Sequence, residues 1–315
     1  MRKSSYASDT IVVRSGGDIA TGVVQKLCRS GFRVAILETP DPLTIRRSVA
    51  LSSAVRERTC TVEEMTAVLT PDSQSCRAVW ESGCIPVFVD PAMECLAKLR
   101  PAVLVDAIIA KRNTGMHKAL APITIALGPG FSAPENVDCV VETMRGHSLG
   151  KLITQGSALP NTGIPGILGG KSAERVVYSP VSGLVTHVCK LGDFVRRGEA
   201  IFYVDNVPVF ARLDGILRGL IADGVVVRKG LKCADVDPRP ADQVDYYSIS
   251  DKARAIGGAV LEACFMLARQ KNIFLQPVLK TETSPCMRFL PRKKRLAPGS
   301  HVLNLRKSAV QSLSI

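Results

Sequence analysis

Two stretches of this chain, thirty-two residues apart, are near-copies of one another. Ser182–Val204 reads SGLVTHVCKLGDFVRRGEAIFYV and Asp214–Val236 reads DGILRGLIADGVVVRKGLKCADV. They align without a gap. Gly183/Gly215, Gly192/Gly224, Val195/Val227, Arg196/Arg228, Gly198/Gly230 and Val204/Val236 are identical, and apolar positions such as Val188/Leu220 match in kind. Each copy predicts a strand, a glycine turn, a V-x-x-G corner and a second strand. Gly192 and Gly224 suit tight turns that need positive φ. Neither copy has enough apolar surface to close a core alone, so the two are expected to fold together.

That pattern resembles the biotinyl/lipoyl-like barrel-sandwich hybrid domain. In the carrier members of that family a lysine sits on the hairpin between the halves. Here the hairpin reads Asp205-Asn206-Val207-Pro208, with Asn206 near the lysine position. An Asn side chain cannot form the carrier amide, so no covalent biotin or lipoate is expected and a docking module is.

The rest of the chain alternates. TIVVR at 10–14 predicts a strand, followed by SGGDIATG and an apolar-periodic helix to about Ser30. Strands are expected at 32–37, 85–89, 102–106, 123–127 and 138–143, and helices at 43–54, 72–82 and 92–99. Thr61-Val62-Glu63-Glu64 has the form of a helix capping box. Residues 249–268 read as one helix capped by Ser250 or Asp251, packing back on the first domain. The fold class expected is α/β: a Rossmann-like parallel sheet with helices on both faces, plus a duplicated all-β barrel-sandwich hybrid module. The domains run 10–110 for the Rossmann-like nucleotide-binding part and 111–175 for a Gly/Pro-rich ligand-loop region continuing it. The β-module occupies 176–240, the C-terminal helix 241–268 and a basic, disordered tail 269–315.

Composition narrows the classes. At 315 residues two domains fit. There is no run of eighteen apolar residues, so no membrane partner is expected, and no apolar leader core. Ten scattered cysteines without a C-x-x-C pair suit reduced thiols in the cytoplasm better than disulfides or zinc. The net charge is +13, but ten Lys/Arg and a single acid from Arg269 onward carry +9 of it. The body is therefore not a basic surface, and without interleaved aromatics nucleic acid is not the expected partner.

Two clusters could carry chemistry. Ser15-x-Gly17-x-x-Ala20 stands where a dinucleotide fingerprint G-x-G-x-x-G/A would stand. Gly16, Gly17, Asp18, Ile19, Ala20 and Gly22 would offer main-chain amides and a helix N-terminus to a phosphate. Glu38, about twenty residues on, would accept from a ribose hydroxyl. Ser15 replaces the first glycine, where a Cβ resists the turn, and Asp18 brings negative charge to the helix start. The second cluster is Asp106 at a strand end, then Lys111, Arg112 and Asn113, then Arg145 and His147, all near Gly-rich loops that suit an anion. His147 could move a proton. Four histidines without short spacing argue against a dedicated metal site.

The order VRSGGDIATG, DAIIAKRNTG, LGPGF, ETMRGHSLG and NTGIPG, spread from about residue 10 to 268, resembles the YqeB-type proteins associated with maturation of selenium-dependent molybdenum hydroxylases. The resemblance implies a cytoplasmic accessory protein acting near a molybdenum–pterin cofactor, with a molybdenum hydroxylase as partner. A polyanionic pterin or nucleotide would rest on the glycine turn and on Lys111, Arg112 and Arg145. An NAD(P)-dependent oxidoreductase and a scaffold without ligand are the alternatives.

Overall fold

The computed structural model describes residues 7–8 and 10–278. The chain enters β1 (Thr10–Arg14), turns into α1 (Asp18–Arg29) and returns through β2 (Arg33–Glu38). The single turn α2 (Ala54–Glu57) leads to a hairpin, β3 (Thr59–Val62) and β4 (Met65–Leu69). Then come α3 (Cys76–Glu81), β5 (Ile85–Val89), α4 (Leu96–Leu99), β6 (Val103–Asp106), β7 (Ile123–Leu127), β8 (Cys139–Val141) and β9 (Leu152–Ile153). These strands form one nine-stranded sheet, ordered β9-β8-β7-β6-β1-β2-β5-β4-β3. The seven inner strands are parallel, and β9 and β3 are antiparallel edges.

The central strands are buried along their whole length, which is why they read as continuous apolar runs rather than as alternation. Side chains still alternate between faces. Ile11, Val13, Ile36, Val105 and Ile125 belong to one core layer, and Val12, Ala35, Leu37, Leu104 and Ala126 to the other.

The β unit follows. Its strands are β10 (Val176–Tyr178), β11 (Gly183–His187), β12 (Phe194–Val195), β13 (Ala200–Val204), β14 (Val207–Phe210), β15 (Gly215–Leu220), β16 (Val226–Val227) and β17 (Lys232–Asp237). They make two four-stranded antiparallel sheets, β10-β17-β15-β12 and β14-β13-β11-β16. The short corner strand of each sequence copy pairs with the first strand of the other: β12 with β15, β16 with β11. The copies are thus interlocked, and their shared core of Val185, Val195, Ile201, Phe202, Leu217, Val227 and Val236 is fully enclosed. Gly192 and Gly224 turn at φ +93° and +69°.

The chain ends in α5 (Asp251–Gln270), whose N-cap Ser250 accepts from the Ala253 amide at 3.2 Å. It lies against α1 with backbones nearly touching. A Cβ on Gly22 would stand 2.4 Å from the Ala253 carbonyl oxygen, and one on Gly257 would stand 2.3 Å from that of Gly22. Phe274–Leu275 then pairs in parallel with Ala7–Ser8.

This architecture corrects the expected fold class. The sheet is mixed and nine strands wide, with antiparallel strands at both edges, not a Rossmann-like parallel sheet. Helices lie on both faces, but unequally. The pair α1/α5 packs on one; the other is covered by α3, α4 and irregular chain carrying Trp80, Leu96, Met116 and Phe131. The links β6 to β7 and β7 to β8 contain no α-helix, and α5, arriving from beyond the β unit, fills the layer beside β7 and β8. The duplicated barrel-sandwich expectation is likewise replaced. Strands β10 and β14, outside the repeat, complete two separate four-stranded sheets.

Smaller expectations change as well. Residues 43–54 are mostly irregular, with 3-10 turns at Arg47–Val49 and Leu51–Ser53. The capping-box residues form the β3/β4 hairpin, with Glu63 at φ +51°. The final helix continues to Gln270, so residues 269–275 are structured, while 279–315 lie outside the described residues.

Candidate functional site

The glycine bend between β1 and α1 closes on itself. Ser15 takes the left-handed conformation, φ +83°. That conformation costs a residue with a Cβ about 1–2 kcal/mol, and its side chain offsets the cost by bridging. Ser15 Oγ donates to Glu38 Oε1 at 3.1 Å and accepts from the Gly17 amide at 3.1 Å. The Gly16 amide donates to the same Glu38 oxygen at 2.7 Å, and Thr39 N donates to Glu38 Oε2 at 2.9 Å. Glu38, buried, is therefore the acceptor that satisfies the bend. The ribose role expected for it has no free oxygen to use.

The residues around it are equally committed. Gly16 is buried, and a Cβ there would meet Ser52 N at 2.7 Å. Gly17 caps the helix, its carbonyl accepting from Thr21 N at 2.8 Å. Ile19 and Ala20 pack into the core, and Gly22 faces α5. Asp18 alone points outward, its Oδ1 accepting from Ile19 N at 2.9 Å.

The second cluster is dispersed. Asp106 is buried against Arg14, Oδ2 to Nη1 at 2.5 Å. Burial pushes its carboxyl up and Arg14 opposes that. Arg14 Nη2 also donates to Thr114 O at 3.0 Å, so the pair anchors the loop after β6. Asn113 is used inside that loop, accepting from Gly115 N and Met116 N. Lys111 and Arg112 are exposed there. Lys111 Nζ lies 3.1 Å from the Asn161 side chain, whose oxygen faces it, and the Arg112 backbone occupies the space beside Gly130. Arg145 makes a two-bond pair with Asp251 at 2.9 and 3.0 Å, which holds the Asp251 carboxyl down at about 2. His147 is exposed and makes no hydrogen bond among the described residues.

Four cations that the sequence does not connect gather instead in one junction, three of them feeling the charge of Asp18 and Arg218 standing near Arg46 and Lys232. Arg46 comes from the irregular chain after β2, Arg218 from β15, Lys232 from β17 and Lys252 from the start of α5. The β unit is drawn onto the 40s chain by Leu220 N donating to Ile45 O and Arg47 Nε donating to Leu220 O, both at 2.8 Å. Arg46 Nη1 reaches Asp18 Oδ2 only at 3.6 Å, and Arg46 Nε is buried without a partner. Arg218 donates to Asp235 Oδ2 at 2.9 Å, but its Nε is also buried and unpartnered. The Lys232 and Lys252 ammonium groups make no hydrogen bond or ion pair among the described residues.

The electrostatics record this crowding. Burial holds the Arg46 guanidinium below its ordinary value; Asp18 opposes that and Arg218 adds to it. Burial likewise lowers the Lys232 ammonium, which Asp235 and Asp18 raise and Arg175 and Arg218 lower further. Lys252 is lowered by burial, then by Arg145, against Asp18 and Glu142. The other charges nearby are mutually paired: Arg175 with Asp235, Arg239 with Asp237, Arg145 with Asp251. Asp18 is left facing a cationic surplus, the arrangement that suits a polyanion.

On the other side of the 40s chain lies a cavity of about 210 Å³ lined by Thr44, Arg47, Ser52, Arg56, Glu57 and Asp223. Ser52 donates its amide to Gly16 O at 2.9 Å, so this cavity backs onto the glycine bend. Of the residues expected to bind, only Asp18 and Arg145 border the cationic cluster. Arg46, Arg218, Lys232 and Lys252 have no mutual signal in sequence beyond being charged residues inside apolar segments. Among the described residues no three or more His, Cys, Asp or Glu side chains are placed to hold a metal ion, and no helix is long and apolar enough to cross a membrane.

The chain is similar to uncharacterized protein YqeB of Escherichia coli K12, with 46% identity over 272 residues. That covers 86% of this chain and 50% of the relative, so the chain spans about half the relative's length. The identity over most of the chain supports a YqeB-type family. No family model matches. Among solved structures, the product-bound ectoine utilization protein EutE (DoeB) of Ruegeria pomeroyi aligns at 14% identity and a TM-score of 0.23, covering 73% of this chain and 85% of that one. A succinylglutamate desuccinylase/aspartoacylase from Rhodobacter sphaeroides aligns at 15% identity and a TM-score of 0.21, covering 73% and 86%. Likeness at that level carries no inference of function for this chain.

Proposed function

We propose that this YqeB-type chain is an accessory protein that binds a polyanionic nucleotide or pterin cofactor during maturation of a selenium-dependent molybdenum hydroxylase. The observation that carries the binding half is the unsatisfied charge around Asp18. Burying a guanidinium nitrogen without a partner costs on the order of 1–3 kcal/mol, and two such nitrogens sit in one junction beside two unpaired lysines. Phosphate oxygens would satisfy all four. The residues present therefore fit the phosphates of a nucleotide or of a pterin cofactor. Arg46, Arg218, Lys232 and Lys252 would hold them, and Asp18 would keep the cations oriented when the seat is empty. The glycine bend serves as the support of that seat rather than as the cradle. The cofactor brings any redox chemistry; the chain's part is to bind and position it. The maturation half rests on the resemblance of the sequence motifs.

The test is calorimetric titration of the full chain with pyrophosphate and with ADP. Lys232→Met and Arg46→Met are each expected to weaken binding tenfold or more, about 1.4 kcal/mol or greater, as for loss of a charge-assisted bond. No binding of either ligand by the wild-type chain sinks the proposal. Retention of a molybdenum hydroxylase on immobilised chain tests the maturation role separately.

A further inference from the structure

Arg46 and Arg47 are neighbours in sequence, with Cα atoms about 3.8 Å apart, yet they serve different places. Arg46 turns to Asp18, while Arg47 lines the 210 Å³ cavity. The lining of that cavity brings together the Arg47 and Arg56 guanidinium groups and the Glu57 and Asp223 carboxylates. Arg47 uses only Nε, donating to Leu220 O at 2.8 Å. Arg56 donates to Asp41 and to Asp223 O. Thr44 and Ser52 add hydroxyls 3.3 Å apart. The Glu57 carboxylate makes no hydrogen bond or ion pair among the described residues; burial holds the Arg47 guanidinium below its ordinary value, and the nearby Glu57 carboxylate opposes that. At about 210 Å³ the space is smaller than the roughly 300–1,000 Å³ of a site that encloses a whole drug-sized ligand. It has room for a single ring system.

We infer that this cavity seats the 2-amino-4-oxopyrimidine edge shared by guanine and pterins, with Glu57 as acceptor and Arg47 as donor. A carboxylate accepts two parallel bonds from a ring N–H and the adjacent amino group. A guanidinium donates to an oxo group and a neighbouring ring nitrogen, as arginine does to guanine. Adenine presents no ring N–H beside its amino group, and hypoxanthine has no 2-amino group, so each forfeits a bond to Glu57. This inference rests on the anion seat proposed above. The cavity lies beside Arg47 and the anion seat beside Arg46, adjacent residues of the 40s chain.

The experiment is titration of the full chain with pyrophosphate, GDP, IDP and ADP, together with a pterin phosphate and the corresponding lumazine phosphate. GDP is expected to bind about tenfold more tightly than IDP or ADP, and the pterin to exceed the lumazine by a similar factor. Whichever of GDP and the pterin binds more tightly identifies the source of the edge. Glu57→Gln, at an exposed position of α2, is expected to erase both preferences and leave pyrophosphate binding unchanged. Pyrophosphate binding with equal affinities for GDP and IDP, or preferences that persist in Glu57→Gln, overturns the inference and leaves the anion seat standing. Failure of pyrophosphate, GDP and the pterin alike overturns both.

Discussion

The glycine bend and the cationic junction lie within two residues of each other, at Gly16 and Asp18, and they are built on opposite rules. In the bend every polar group finds its partner nearby. Glu38 takes the Gly16 amide, the Ser15 hydroxyl and the Thr39 amide, and Ser15 takes Gly17. In the junction, four cations arrive from four distant segments; Arg46 reaches Asp18 only at 3.6 Å, Arg218 is held by Asp235, and the Lys232 and Lys252 ammonium groups make no ion pair among the described residues. A buried polar site that is already satisfied is structural. One left in surplus is stored binding capacity, because a ligand can still make the missing bonds. A motif alone does not distinguish the two; the fate of its hydrogen bonds does.

That contrast can be broken. The largest effect is expected from Glu38→Ala, which strands the buried Gly16 amide and two further donors. Unfolding by urea should show a loss of about 3 kcal/mol, whereas a bend that serves as a phosphate cradle would instead gain anion affinity. Next is Gly22→Ala. Its methyl group would press on the Ala253 carbonyl and separate α1 from α5, with a loss of about 2 kcal/mol and pyrophosphate affinity altered less than threefold by calorimetry.

Arg46→Met should act in the reverse sense. Replacing a buried guanidinium whose Nε has no partner and whose other contacts are long by a packed apolar chain should raise stability by about 1 kcal/mol in the absence of ligand while weakening anion binding. The junction lysines sharpen this through pH. Lys232 is lowered in the folded state from 10.5, so the unfolded chain binds more protons between the lowered value and 10.5. Stability therefore rises with pH across that window. An anion that restores the ammonium must bring proton uptake there, measurable as a buffer-dependent heat of binding.

The smallest effect belongs to the exposed Arg145–Asp251 pair. Its carboxyl is depressed from 3.8 to about 2, so its contribution is present above pH 4 and fades as pH falls through about 2. Solvent screening limits it to no more than about 0.5 kcal/mol. Asp251→Asn should flatten acid unfolding in that range only slightly, as followed by circular dichroism.

The inner strands were legible because burial on both faces leaves an apolar signature: β1, β5 and β7 stand where TIVVR, IPVFV and ITIAL predicted them. The hairpin at 59–69 was not. Its turn residues Glu63 and Glu64 imitate a capping box, and it is pairing with β3 and β5 that makes β4 a strand. The sheet edges were hidden for the same reason, since an edge is defined by what fails to pair. At the site, the bend's location was legible and its chemistry was not. Asp18 and Arg145 were named from the sequence and border the junction; Arg46, Arg47, Glu57, Arg218, Lys232 and Lys252 were not named, because charged residues scattered through apolar segments carry no local pattern.

By itself, the sequence determined two things: a buried, largely parallel set of strands, set by runs of branched apolar residues, and two interlocking β copies, set by repeated glycines and by the inability of either copy to close alone. Tertiary structure decided the rest. It turned Glu38 inward to satisfy Ser15 and Gly16, brought α5 into the layer beside β7 and β8, and docked the β unit on the 40s chain so that cations from four segments meet near Asp18. Apolar periodicity is a local property and survives in the sequence. Charge balance is a sum over space, and only the folded chain fixes which charges are added together.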